Sequence, residues 1–71
     1  MDRTPVSSSN IAAIGYDPDS QILEVEFLDG SIYDYSDVPD YHFEGIMAAP
    51  SKGQYLHQHI KKGGYTYQRV A

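Results

Sequence analysis

The chain has 71 residues and a formal charge of −5, with ten acidic side chains against five basic ones and no cysteine. A chain of this length forms one domain with one small core, burying only about 60% of its unfolded surface. The composition excludes disulfide staples and thiolate metal sites, and no apolar stretch approaches the ~20 residues needed to cross a bilayer.

The start, Met1-Asp2-Arg3-Thr4-Pro5, has no apolar run, so a signal peptide is not expected and the protein is expected to be cytoplasmic. Charge is segregated along the chain. Asp17, Asp19, Glu24, Glu26, Asp29, Asp34, Asp37, Asp40 and Glu44 lie in a stretch with no lysine or arginine. From Ser51 onward there is no acid, and Lys52, Lys61, Lys62 and Arg69 are joined by His57 and His59. Net charge opposes non-specific affinity for polyanions. An anionic partner would therefore meet the C-terminal third.

Residues 1–9 are polar, include Ser7-Ser8-Ser9, and are expected to form a flexible arm. Ile11 to Tyr16 is a short apolar strand. Asp17-Pro18-Asp19-Ser20 is a turn, with Pro18 presetting φ and the Asp17 side chain capping it. Ile22 to Leu28 is the clearest strand, because Leu23, Val25 and Phe27 alternate with Glu24 and Glu26. Asp29-Gly30 signals a hairpin, and Ser31 to Tyr35 returns.

Loop length decides where Tyr33 and Tyr35 point. A two-residue turn pairs Phe27 with Ile32 and puts both tyrosines on the Glu24/Glu26 face. A three-residue loop, Leu28-Asp29-Gly30, with Gly30 left-handed, pairs Val25 with Tyr33 and Leu23 with Tyr35. The second option is preferred because it keeps both strands amphipathic; a one-residue slip would flip a whole strand.

Val38-Pro39 starts a helix, with proline at its first position and Asp37 and Asp40 at its positive end. Phe43, Ile46 and Met47 should face the sheet, and Ala49-Pro50 ends it. Ser51-Lys52-Gly53-Gln54 reads as a capping box opening a second helix. Leu56 and Ile60 are its core pair, Lys61 and Lys62 lie in its last turn, and Gly63-Gly64 stops it. Tyr65 to Val70 alternates and is expected to be a final strand. The fold class is α+β: a small antiparallel β-meander of three to four strands packed against two short helices.

Gly15-Tyr16-Asp17, Leu23-x-Val25-x-Phe27, Gly30, Tyr33-x-Tyr35, Val38-Pro39, Ser51-x-Gly53-x-Tyr55, Ile60-Lys61 and Tyr65, in that order after a Ser-rich start, resemble the KTSC domain family. That family occurs as single-domain bacterial and phage proteins and at the end of some lysyl-tRNA synthetases. On this resemblance residues 10–71 form a KTSC-like domain. The resemblance implies no known activity, with RNA binding proposed. Pro50 before Ser51 departs from the pattern and is expected to stiffen the link between the helices.

Ser51, Lys52 and Gly53 open a helix, where unpaired N–H groups and a lysine could take a phosphate; equally, Ser51 is a cap and Gly53 a spacer. Tyr55, Tyr65 and Tyr67 interleave with Lys61, Lys62 and Arg69, the composition of a single-stranded nucleic-acid groove; equally, the lysines complement a helix dipole. Tyr33 and Tyr35 are expected in the core rather than stacking bases. His57-x-His59 diverges on a helix and is not expected to bind metal. No nucleophile is paired with a base and the carboxylates read as a solvated face, so no catalytic residue, enzyme activity or cofactor is expected.

The function expected is a non-enzymatic binding module. It would bind RNA or single-stranded nucleic acid through Ser51, Lys52, Gly53, Tyr55, Lys61, Lys62, Tyr65 and Arg69. The alternatives are a protein–protein adaptor or phage-encoded inhibitor whose acidic sheet face meets a basic protein, and an oligomer capturing a small nucleotide.

Overall fold

The structure, a computed structural model, describes all 71 residues. Five strands, β1 (Arg3–Pro5), β2 (Ile11–Asp17), β3 (Ile22–Phe27), β4 (Ile32–Tyr35) and β5 (Tyr67–Arg69), form one antiparallel sheet in sequence order. Helix α1 (Asp40–Ala48) and helix α2 (Lys52–Tyr55) follow β4, and α2 runs straight into a π-helical segment, Leu56–Lys61. The α+β class and the meander agree with the sequence. The sheet has five strands rather than three to four, because Arg3–Pro5, assigned to the arm, joins it as β1.

The hairpin has the three-residue loop. Leu23 pairs with Tyr35 and Val25 with Tyr33, while Glu24 opposes Asp34 and Glu26 opposes Ile32. Phe27 N–H donates to Ser31 O at 2.8 Å and Gly30 N–H to Phe27 O at 3.0 Å, which closes a tight turn plus one left-handed residue. That residue is Gly30, at φ 91°, where a β-carbon would be strained. Asp29 fixes the turn by accepting from the Ser31 N–H and hydroxyl. The β2–β3 turn is capped as expected, with Asp19 N–H donating to Asp17 Oδ1 at 3.0 Å.

Alternation then separates two faces. Ile14, Leu23, Val25 and Tyr35 point inward, and a bulge between Ile11 and Ala13 turns Ile11 inward as well. Val38 from the β4–α1 link, Ile46 from α1, and Leu56 and Ile60 from the second helical run close the core. Each such aliphatic side chain contributes about 1.5–3 kcal/mol by leaving water. Tyr16 spans the layers, its hydroxyl donating to Val38 O at 2.5 Å while its ring stacks on Phe43.

One helix boundary differs from the sequence reading, and so does the type of the second helix. Pro39, at φ −63° and ψ 153°, precedes α1 rather than sitting at its first position, and Asp37 turns left-handed at φ 59° outside the helix. Only Asp40 lies in the first turn. The second helix begins where expected, with Ser51 Oγ accepting from Gln54 N–H at 3.3 Å. It does not stay α-helical: Lys62 N–H donates to His57 O, five residues back.

Candidate nucleic-acid interface

The residues singled out in the C-terminal third do not form one patch. Ser51 and Gly53 line an open cleft of about 470 Å³ with Ser9, Asn10, Gln54, His57 and Gln58. Its components are already committed. The Ser51 hydroxyl caps Gln54, and the Lys52 ammonium turns back to donate to Ala49 O at 3.1 Å, covering the end of α1. Gly53 makes room for Asn10, whose Oδ1 would lie 2.8 Å from a β-carbon there. The phosphate cradle therefore loses its lysine and a leading N–H donor, and the cleft has no apolar wall to exclude water.

Tyr55 and Tyr65 belong to a second group, built around His42. His42 is nearly buried on α1 and its Nδ1 lies 2.9 Å from the Tyr55 hydroxyl. The rings of Tyr41, His59 and Tyr65 complete the cluster, with centroids 4.4, 6.1 and 5.8 Å from that of His42. Burial, reinforced by His59, holds His42 below its ordinary pKa, and burial first of all raises that of Tyr65. Two glycines seat the rings: a β-carbon at Gly45 would overlap the Tyr55 hydroxyl, and one at Gly63 would come within 2.9 Å of the Tyr65 ring. Both tyrosines, half-buried, pack their rings against His42 on α1. The sequence reading missed this use of His42, although a histidine one turn from Ile46 on an amphipathic helix was its signal.

Lys61 does meet an aromatic surface, but a different one, and Arg69 lies beside it opposite Tyr33, with its Nε donating to Ala71 O at 2.8 Å. Helix α1 packs over β2, which leaves the inner face of the sheet open toward β5. There Tyr35 and Tyr67 pair across β4 and β5, as do Tyr33 and Arg69. Tyr67 is 64% exposed, with its ring 6.1 Å from Tyr33 and 5.9 Å from Tyr35. Phe27 meets Tyr33 edge-on at 5.8 Å, and the Lys61 ammonium sits 5.6 Å over the Phe27 ring. Lys61, Tyr35 and Tyr67 line a cleft of about 270 Å³. Tyr33 and Tyr35 thus take the predicted face but separate in role: Tyr35 is buried in the core, whereas Tyr33 emerges at its rim. Lys62 stays exposed at the helix end.

The opposite sheet face carries the acids. Arg3, Gly15, Glu24, Asp34 and Gln68 form one row across all five strands. Arg3 reaches over Gly15 to Glu24 at 2.6 Å and to Glu26 at 3.1 Å. Burial pushes Glu24 up, but hydrogen bonds from Asp34 and Arg3 outweigh it and leave the carboxyl below its ordinary value. Asp34 moves the other way, pushed up to about 6 by burial and by its hydrogen bond with Glu24. The solvated acidic face of the sequence reading is in part a half-buried pair of neighbouring carboxyl groups, Glu24 and Asp34, with Arg3 bound to the first.

The KTSC domain model matches residues 7–70. An uncharacterized protein of Stutzerimonas stutzeri is 40% identical over 70 residues, which is 99% of each chain. A lysine–tRNA ligase of Nostoc sp. is 46% identical over 63 residues, covering 89% of this chain and only 11% of the ligase. The crystal structure of a KTSC domain protein from Yersinia pestis superposes with a TM-score of 0.88 at 39% identity, covering 99% of this chain and 97% of that one. With the hairpin, the paired tyrosines and the capped second helix all in place, the chain belongs to the KTSC domain family.

Proposed function

We propose that the protein is a non-enzymatic module that binds single-stranded nucleic acid, RNA foremost, on the open inner face of β4 and β5. The observation that carries this reading is the cleft in which the exposed Tyr67 ring and Lys61 stand together beside Tyr35. A base stacks on Tyr67 and Tyr33, while Lys61 and Arg69 meet the adjoining phosphates. Aromatic faces flanked by cations are how sequence-tolerant single-strand sites work. The likeness to a segment of a lysine–tRNA ligase supports an RNA ligand. On this reading the protein works in the bacterial cytoplasm, or in that of a phage host.

The test is fluorescence anisotropy with labelled RNA, single-stranded DNA and duplex at several salt concentrations. Single-stranded RNA should bind best, and affinity should fall with salt at a log–log slope of about −1.4, because Lys61 and Arg69 supply two phosphate contacts on a chain of charge −5. Lys61→Ala with Arg69→Ala should flatten the salt slope. Tyr67→Ala should weaken binding roughly tenfold with the slope intact, since stacking is worth about 1–3 kcal/mol per base and releases no counterions. Tyr55→Phe should leave binding unchanged. A salt slope that survives loss of both cations overturns the site.

A further inference from the structure

We propose that the edge of β2 and the carboxylates beside it form a docking site for an extended, arginine-bearing segment of a partner protein, a site that residues 3–5 of the same chain fill in cis. This surface lies on the opposite face from the nucleic-acid site and does not depend on it.

The own-chain segment shows the chemistry of the occupant. β1 is three residues long and wholly exposed, and it precedes the segment matched by the family model. It adds to β2 with Arg3 opposite Gly15, Thr4 opposite Ile14 and Pro5 opposite Ala13. The arginine side chain crosses β2 where Gly15 offers no side chain; a β-carbon there would lie 3.2 Å from Arg3 Cγ and 2.6 Å from Asp2 O. The guanidinium then meets Glu24 and Glu26 on β3. A main-chain ladder for affinity and a shaped channel for one side chain are the elements of recognition by strand addition. A planar, always-charged guanidinium fits two carboxylates better than an ammonium does.

The cis segment, which runs on to a Val6 N–H bond to Ala12 O at 3.1 Å, fills this site incompletely. Pro5 brings no N–H to the ladder, and exposed ion pairs contribute little. One guanidinium serves both Glu24 and Glu26. A partner segment without proline and with a second cation would complete both the ladder and the charge balance. The polar stretch Ser7-Ser8-Ser9-Asn10 tethers β1 closely, so the cis segment competes at high effective concentration. Loosening it should therefore expose the site.

The test uses full-length protein and a labelled hexapeptide that repeats residues 2–7 with alanine in place of the proline. Arg3→Ala protein should bind this peptide at least about tenfold more tightly than wild type, because the competing anchor is gone. Adding Glu24→Gln should cancel the gain, and a peptide whose arginine is replaced by alanine should not bind. Amide shifts of Ala13 and Gly15 in wild-type protein at millimolar peptide provide a readout that needs no substitution. Arg3→Ala protein that binds no better than wild type, or an arginine-free peptide that binds equally well, overturns the proposal. So does a concentration-dependent wild-type dimer abolished by Arg3→Ala, which would assign the edge to a second copy.

Discussion

The Nδ1 atom of His42 and the hydroxyl of Tyr55, 2.9 Å apart, tie α1 to α2 across the small side of Gly45. Tyr55→Phe removes this bond and should lower stability by about 1 kcal/mol. Gly45→Ala forces a methyl group into the place of the hydroxyl and should cost roughly 1–3 kcal/mol. Urea unfolding measures both. A Tyr55→Phe protein as stable as wild type would show that the bond adds nothing over water.

The same histidine should make the protein acid-sensitive. Its folded pKa lies below 6.5, through burial and then through His59. The unfolded chain therefore takes up the proton first, and stability should fall as pH drops below 6.5, levelling once the folded-state group also titrates. His42→Gln should flatten that part of the profile. Unfolding midpoints between pH 7.5 and 5 would show it, and identical slopes in the two proteins would clear His42 of the effect.

Asp34 acts in the opposite sense. Its pKa rises from 3.8 to about 6 in the folded state, where burial and Glu24 favour the proton. The folded protein then binds the proton more tightly than the unfolded chain. Stability contributed by this group is complete below pH 3.8, declines as pH rises, and is gone above about 6. Asp34→Asn should remove the penalty and stabilise the protein at pH 7.5 by about 1 kcal/mol after solvent screening. Below pH 3.8 it should bring no gain. Carboxyl carbon shifts followed by NMR give the titration directly, and a Glu24–Asp34 pair that titrates at ordinary values would refute it.

Ser51→Ala should lower stability by ~1 kcal/mol, the worth of a lost helix cap. It should leave RNA affinity unchanged once folding is complete, because the hydroxyl is bound to Gln54. Thermal unfolding and anisotropy on the same samples separate the two effects. Loss of RNA affinity in folded Ser51→Ala protein would restore the phosphate reading of this helix start.

The amino-acid sequence alone determined the local features. Alternation in Leu23-Glu24-Val25-Glu26-Phe27 and the glycine at position 30 set the hairpin register, because any other loop length would expose a strand's apolar side. Ser51 and Gln54 set a helix start through one side chain and one N–H three residues apart. Such devices act within a few residues, so they are readable there. Tertiary structure decided which segment adds the edge strand and what the helices leave bare. Arg3 joins the sheet as part of an edge strand with no apolar pattern to announce it. Tyr67 and Arg69 become a surface with Lys61 only because β5 returns beside β4 and α1 lies over β2. Tyr55 and Tyr65, equally aromatic and equally close to lysines in sequence, are drawn to His42 instead. The reason is physical: a tyrosine beside a lysine in sequence has the same composition whether its ring meets solvent or a neighbouring helix, and only packing chooses between them.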